Sequence, residues 1–328
     1  MNSTFNKKTI TILFSLLLSF TLLLAGCGTE KETAKEETQT DSDTAEKVNE
    51  TITVEHAMGT TEVPANPLRV VILTNEGTEA LLTMGVTPVG AVNSWTGDPW
   101  YPHITDQMEG VEPVGTESEV NVEAILALEP DLIIGNKMRQ EAVYEQLSSF
   151  APTVFAEDLR GNWKSNFELY AKALNKEEEG KKILSDYDAR LAEFANKAGD
   201  QLNKEVSIVR FMADHARIYH KDSFSGVILE QIGFKRPESQ NVDDFMEKAT
   251  KERIPAMEGD ILFYFTYETG DGAASTNEES WINDPLFKNL EVSKAEKVFK
   301  VDDTIWNTAG GAIAAELLVD DLEKYFFE

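Results

Sequence analysis

Glu123-Ala-Ile-Leu-Ala-Leu-Glu-Pro-Asp-Leu-Ile-Ile134 returns 129 residues later, without a gap, as Glu252-Arg-Ile-Pro-Ala-Met-Glu-Gly-Asp-Ile-Leu-Phe263, with five of twelve positions identical. Each copy reads as a helical turn, a break at Pro130 or Gly259, and an apolar run behind an aspartate. An unbroken apolar run of this length belongs to a strand buried on both faces, the usual condition of a parallel sheet. Two copies predict two similar α/β lobes.

The flanking sequence extends the pattern in both directions. Residues 51–55 alternate as a strand and 68–73 form a continuous apolar one. A helix over 76–84 stops at Gly85. A strand follows at 88–92, and Asn121 caps a helix through Leu128. The spacing then predicts a strand at 131–134, a helix at 140–149 and a strand at 153–155. The second half repeats the plan: strand 205–212, helix 224–232 stopped by Gly233, strands 260–265 and 297–301, and a last helix over 311–327. Alternating strands and helices indicate layered α/β lobes. Between the halves, Ile183, Leu184, Tyr187, Leu191, Phe194 and Ala195 recur at helical spacing, behind a capping box at Asn175 and Glu178. That helix, roughly 32 Å long at 1.5 Å per residue, can carry the chain from one lobe to the other. Expected boundaries are 51–174 for the N-terminal lobe, 175–198 for the crossing helix and 199–328 for the C-terminal lobe.

The N-terminus reads as an address. Lys7 and Lys8 precede a sixteen-residue apolar run, which ends at Leu24-Ala-Gly-Cys27. This is a secretory signal over residues 1–26, too short for a spanning helix. Cys27, the only cysteine, follows a triplet that resembles a bacterial lipobox, which implies a lipid on its sulfur. Residues 27–50 are acid-rich and almost free of aliphatic side chains, so they read as a disordered tether. The chain of 328 residues carries 58 acids against 30 Lys and Arg, a net charge of −28. Such a balance argues against nucleic acid, and one cysteine excludes a disulfide framework.

A lipobox, an acidic tether, two α/β lobes and one crossing helix resemble the substrate-binding lipoproteins of bacterial ABC importers. Within these, Pro67-Leu-Arg-Val-Val71, Leu82-Thr-Met-Gly-Val-Thr-Pro-Val-Gly90, the segment 123–134 and Ala151-Pro-Thr-Val154 resemble the iron-siderophore-binding family. The resemblance covers about residues 50–328. It implies two Rossmann-like lobes with a ligand cleft between them, capture of a ferric siderophore, delivery to ABC permease subunits, and no chemistry on the ligand. The protein would be a monomer, lipid-anchored at the outer face of the cytoplasmic membrane. It would bind no cofactor directly, with iron(III) present only inside the siderophore complex.

A coordinated iron needs no protein ligands. It needs cations for the oxygen-rich face of its complex and flat aromatics for the body. Arginine suits this task, because its planar fork stays charged and grips oxygen pairs. Only eight arginines occur against 22 lysines. Arg139 lies just past the strand at 131–134, at the carboxyl end where open α/β sheets present ligand sites. Arg210 sits in an apolar strand, where a charge is rarely buried unpaired. The resemblance places an arginine of hydroxamate and citrate binders near each position; a structural ion pair is the alternative. Arg217 is a third candidate, with a surface residue as its other reading. Trp95, Trp100, Tyr101, Trp163, Trp281 and Trp306 all fall between the expected elements, where sites are built, and core packing is the alternative for each. Gly310 and Gly311 open the last helix and could leave its N–H groups free for an anion, or could serve close packing.

The four histidines, 56, 103, 215 and 220, show no metal-ligand spacing, which argues against a binder of bare zinc or manganese. No hydrolase or phosphate-loop motif supports an anchored enzyme. Haem, cobalamin and catecholate siderophores are the competing ligands. The resemblance further implies one acidic residue per lobe docking on the permease: Glu79, six residues before Gly85, and, because Val227 stands at the matching C-lobe place, Glu230 one turn on.

Overall fold

The computed structural model describes residues 50–327, so the signal segment, Cys27 and all but the last residue of the acidic tether lie outside the described residues. The described chain belongs to one compact unit. It opens with an antiparallel hairpin, β1 (Thr51–His56) and β2 (Gly59–Pro64). A sheet of five parallel strands follows: β3 (Val70–Ile72), β4 (Gly90–Ala91), β5 (Glu112–Pro113), β6 (Leu132–Asn136) and β7 (Thr153–Ala156), in spatial order β5-β4-β3-β6-β7. Its helices are α1 (Asn75–Thr83), α2 (Val122–Ala127), α3 (Lys137–Gln140), α4 (Tyr144–Ser148) and α5 (Trp163–Ala173).

α6 (Glu177–Ala198) leads to the second sheet: β8 (Val206–Phe211), β9 (Ala216–Tyr219), β10 (Met246–Ala249), β11 (Ile261–Thr266) and β12 (Val298–Lys300), in order β10-β9-β8-β11-β12. The remaining helices are α7 (Phe224–Ile232), α8 (Ala273–Ile282), α9 (Pro285–Lys288), α10 (Glu291–Lys294) and α11 (Ala312–Phe327). Both sheets therefore follow one permutation of strand order. They differ in one strand, since β9 runs antiparallel to β8 and to β10.

The repeated dodecamer has the same task in each lobe. It delivers β6 and β11 into parallel pairing with the lobe's first strand, β3 or β8. Its aspartate fixes the entry of that strand. Asp131 accepts hydrogen bonds from the Leu68 and Arg69 N–H groups at 2.8 and 2.9 Å, and Asp260 accepts from the Glu205 N–H at 2.8 Å. The helical half differs, because Pro255 cannot donate and turns the second copy into a 3-10 segment, Lys251–Met257. The first helices also correspond. α1 and α7 each have nine residues, and the Thr74 and Ser223 hydroxyls accept from the N–H of Gly77 and Gly226 at 3.1 Å.

Burial follows a period of two along the central strands. Val70, Ile72, Leu132 and Ile134 join the core shared with α1, α5, α6, α7 and α11, whereas Val71 and Ile133 pack on the opposite face with Val114, Ile125 and Leu147. α6 buries Leu184, Tyr187, Leu191 and Phe194.

Two local expectations are corrected. The helix expected over 140–149 is broken into α3, a 3-10 turn (Glu141–Val143) and α4. The expected capping box at Asn175 does not form: Asn175 has φ 54°, α6 starts two residues later without a side-chain cap, and the Asn175 amide donates to the Ala65 carbonyl at 3.0 Å. Gly180 within α6 answers a packing demand, since a Cβ there would lie 2.6 Å from Cβ of Ala171 on α5.

Candidate functional site

A cavity of about 300 Å³ opens where the carboxyl ends of both sheets meet. Every parallel strand of the first sheet leads into it: β3 into Glu76, β4 into Trp95, β5 into Glu117, β6 into Met138 and Arg139, and β7 into Leu159 and Arg160. From the second sheet, β8 supplies Arg210 and leads into Met212, β11 leads into Tyr267, and the chain after β12 supplies the turn 307–310. Arg217 enters from β9, and Phe224 and Phe245 close the wall. Loops at strand ends lie free of the ladder, so this rim is where an α/β sheet can vary its chemistry at little structural cost.

Four of the eight arginines line this cavity, and no lysine among the described residues does. Two of the four are held by acids. The Arg210 Nε and Nη2 donate to the two Asp303 oxygens at 2.5 and 2.8 Å, and its guanidinium lies 4.6 Å from the Tyr267 ring centroid. Nη1 and Nη2 reach the Tyr219 and Thr308 hydroxyls at 3.4 and 3.3 Å. The residue is only 5% exposed. Arg139 Nε lies 3.9 Å from Glu117 Oε2, with the guanidinium 5.8 Å from the Trp95 ring. Burial pushes the Glu117 carboxyl up, while the Asn75 backbone and side-chain N–H groups, Arg139 and the Trp95 indole pull the other way. Glu117 thus orients both a cation and an aromatic of the wall. Arg160 stacks over Phe245 at 4.5 Å, and Arg217 Nε donates to His215 Nε2 at 3.4 Å. Neither has a carboxylate partner among the described residues.

The structure brings Trp95, Arg139, Arg210 and Arg217 together at the cavity. It does not bring the other aromatics there. Trp281 belongs to α8, packs against Phe211 and donates to Asn277 Oδ1 at 3.1 Å. Trp306 is fully buried on Phe263, its indole N–H donating to Asp321 at 3.1 Å. Trp163 begins α5 and packs edge-on against Tyr187 and Phe224, one layer behind the wall. Trp100 is buried in the shared core. Tyr101, also buried, accepts from the Trp95 N–H at 3.3 Å and donates to the Thr308 carbonyl at 3.1 Å, so it positions Trp95 from behind and ties it to the other lobe. These rings were expected in loops. They are buried in the core instead, Trp163 and Trp281 from helices, because a large ring gains most by leaving water entirely.

Glu79 is corrected as well. It is 0% exposed, with Oε1 2.5 Å from His103 Nε2 and Oε2 accepting from the Ala314 N–H at 2.8 Å. It caps α11 from inside, and no permease can reach it. Gly311 sits where α11 meets α1: a Cβ there would lie 2.7 Å from Glu79, so its glycine answers close packing. The anion expected at that helix N-terminus is this carboxylate. Glu230 lies exposed on α7, 3.7 Å from Lys221.

Sequence reasoning missed Glu76, Glu117, Arg160 and Tyr267 in the wall, and Asp303 behind it. The signal that singled out Arg139, a position just past a strand's carboxyl end, applies equally to Arg160 after β7 and to Tyr267 after β11.

Residues 70–304 match the family described as periplasmic binding protein. The chain is 50% identical to the probable siderophore-binding lipoprotein YfiY of Bacillus subtilis (strain 168), over 98% of this chain and 99% of that protein. It is 28% identical to the Fe(3+)-citrate-binding protein YfmC of the same organism, with 98% of each covered. The crystal structure of Staphylococcus aureus SirA complexed with staphyloferrin B superposes with a TM-score of 0.79 at 37% sequence identity, covering 83% of this chain and 97% of that one.

Proposed function

Because the chain belongs to the periplasmic binding protein family, we propose that it is the extracytoplasmic receptor of an ABC importer, capturing a ferric siderophore of hydroxamate or citrate type and handing it to the permease. The observation that carries this reading is the selective placement of arginine: half of a scarce residue type lines one interlobe cavity, and the more abundant lysines among the described residues stay outside. A fork of fixed N–H groups beside flat rings suits an oxygen-rich metal chelate, and Trp95, Tyr267 and Phe245 supply those rings. The relatives named for siderophore, ferric citrate and staphyloferrin B support the same class of ligand.

Charge narrows the class. Glu117 and Asp303 answer Arg139 and Arg210, which leaves Arg160 and Arg217 as the unmatched cations. Two unmatched charges suit a citrate or hydroxamate complex better than the more highly charged catecholate complexes. The cargo iron stays within its chelator, and the protein acts as a lipid-anchored monomer through Cys27, at the outer face of the cytoplasmic membrane. Glu230 is the exposed acid left for permease docking on the C-terminal lobe.

Fluorescence quenching tests this directly, since Trp95 lies in the wall. Titration with ferric citrate, ferric staphyloferrin B, ferric desferrioxamine B, a ferric tris-catecholate and haem should give saturable quenching at micromolar protein for at least one of the first three. Saturation by haem or the catecholate alone refutes the ligand class.

Capture should involve little closure. α6 buries one face along its length, Arg190 on α6 bonds Glu316 and Asp320 on α11, and Glu79 of the first lobe holds the start of α11. Two helices therefore brace the lobes. X-ray scattering with and without the bound complex should show the radius of gyration changing by less than about 1 Å. A compaction of several ångströms would contradict it.

A further inference from the structure

Glu76 stands at the start of α1, in the wall of the cavity, and is nearly inaccessible. Its partners are all neutral. The Asn166 amide and the Tyr170 hydroxyl, both on α5, donate to Oε1 at 2.6 and 3.0 Å. Oε2 makes no hydrogen bond among the described residues, and no Lys, Arg or His nitrogen there comes within ion-pairing distance. Among its largest electrostatic influences the charged groups are acids, Glu117 from the turn after β5 and Asp158 from the loop after β7; Arg139, Arg160, Arg210 and Arg217 line the same cavity without an ion pair to it. The turn 307–310, packed opposite, brings only neutral residues to the wall. The N-terminus of α1 favours an anion here, but an ionised carboxylate would still be desolvated, without an ion-pair partner and close to two other acids, which makes the charge costly to bury. It would also repel an anionic guest.

We propose that Glu76 is a specificity-determining residue of the cleft, standing as a neutral carboxylic acid whose Oε2–H donates to an oxygen of the bound ferric complex. The inference rests on the capture reading above and adds a proton to it. Burial pushes the Glu76 carboxyl up to about 8, with the Asn166 and Tyr170 bonds opposing and Glu117 and Asp158 reinforcing. Below that pH the proton is already in place, and binding neither takes up nor releases it. Above it the free protein has lost the proton, and binding must recover one from solvent. Affinity is therefore full at neutral pH and falls as pH rises through the free-protein value. The acid favours guests that present oxygen acceptors at this wall over guests that present a donor.

The test compares the wild type with Glu76→Gln, whose amide keeps both the acceptor for Asn166 and Tyr170 and a donor toward the cavity. The probe is whichever of ferric citrate, ferric staphyloferrin B and ferric desferrioxamine B binds most tightly. Between pH 7 and pH 9.5 the wild type should lose about thirtyfold in affinity relative to the variant, the loss set by one proton leaving a group that titrates at about 8. Taking the ratio removes the titration of the ligand itself. Coincident pH profiles with binding intact overturn the role of Glu76. Failure of all three complexes to bind overturns the capture reading, and this one with it. Infrared spectroscopy of the unliganded protein gives a second measure: a protonated carboxyl band at pH 7 that Glu76→Gln removes. Absence of that band overturns the inference even where ligands bind.

Discussion

Arg210→Ala should weaken the ferric complex by about thirtyfold or more, a loss of about 2 kcal/mol for a desolvated, charge-assisted contact. It should also destabilise the protein, because Asp303 is left buried without its partner, and removing one half of a buried pair costs roughly 3–5 kcal/mol. The two effects separate in a cycle. Arg210→Ala with Asp303→Ala removes both charges and should recover most of the stability in a thermal melt. Binding, followed by tryptophan quenching, should stay weak. Recovery of both would make the arginine a structural partner of Asp303 and nothing more.

That cycle rests on an acid no reading of the sequence would have chosen. Asp303 is one of 58 acids and lies 93 residues from Arg210 along the chain. Glu117 is equally anonymous in sequence, yet it holds the Asn75 N–H and side chain and faces Arg139. Arg139 and Arg210 were legible because their type is rare here and their strands were legible. The acids behind them were not, because each pair is brought together only when the strands and loops of one lobe fold against each other, which leaves no local signature. The lobes themselves were visible, since apolar runs and repeated aspartates act within a few residues. β9 shows the boundary of that method: its four residues alternate no differently from a parallel strand's, but the short turn after β8 reverses the chain.

The tryptophans failed for a related reason. Loop position says where a ring starts, not which way it turns. Trp306 follows β12 but folds back under Phe263, and Trp281 proved to be helical. Only Trp95 points to the cavity, held there by Tyr101 and Glu117.

Glu79→Ala should lower stability by roughly 3 kcal/mol, or some 6–10 °C in melting temperature, and should do so without any permease present. The carboxylate is fully buried, accepts the Ala314 N–H, and sits against His103. Alanine leaves an orphan donor at the first turn of α11 and an unfilled space between two helices, and both penalties act in the folded state alone. Glu79→Gln keeps an acceptor for Ala314 and fills the space, so it should recover about half of the loss. A docking role makes the opposite demand, with unchanged melting and lost uptake. Since α11 packs on α1 at this point while its far end packs in the other lobe, the loss should reach the cleft: Tyr101 and Thr308, which join the lobes one turn away, are held by the same seating of α11. Glu79→Ala should therefore also bind the ferric complex several-fold more weakly, with Glu79→Gln between it and the wild type. Wild-type melting and binding in Glu79→Ala would remove α11 seating as the reason for this residue.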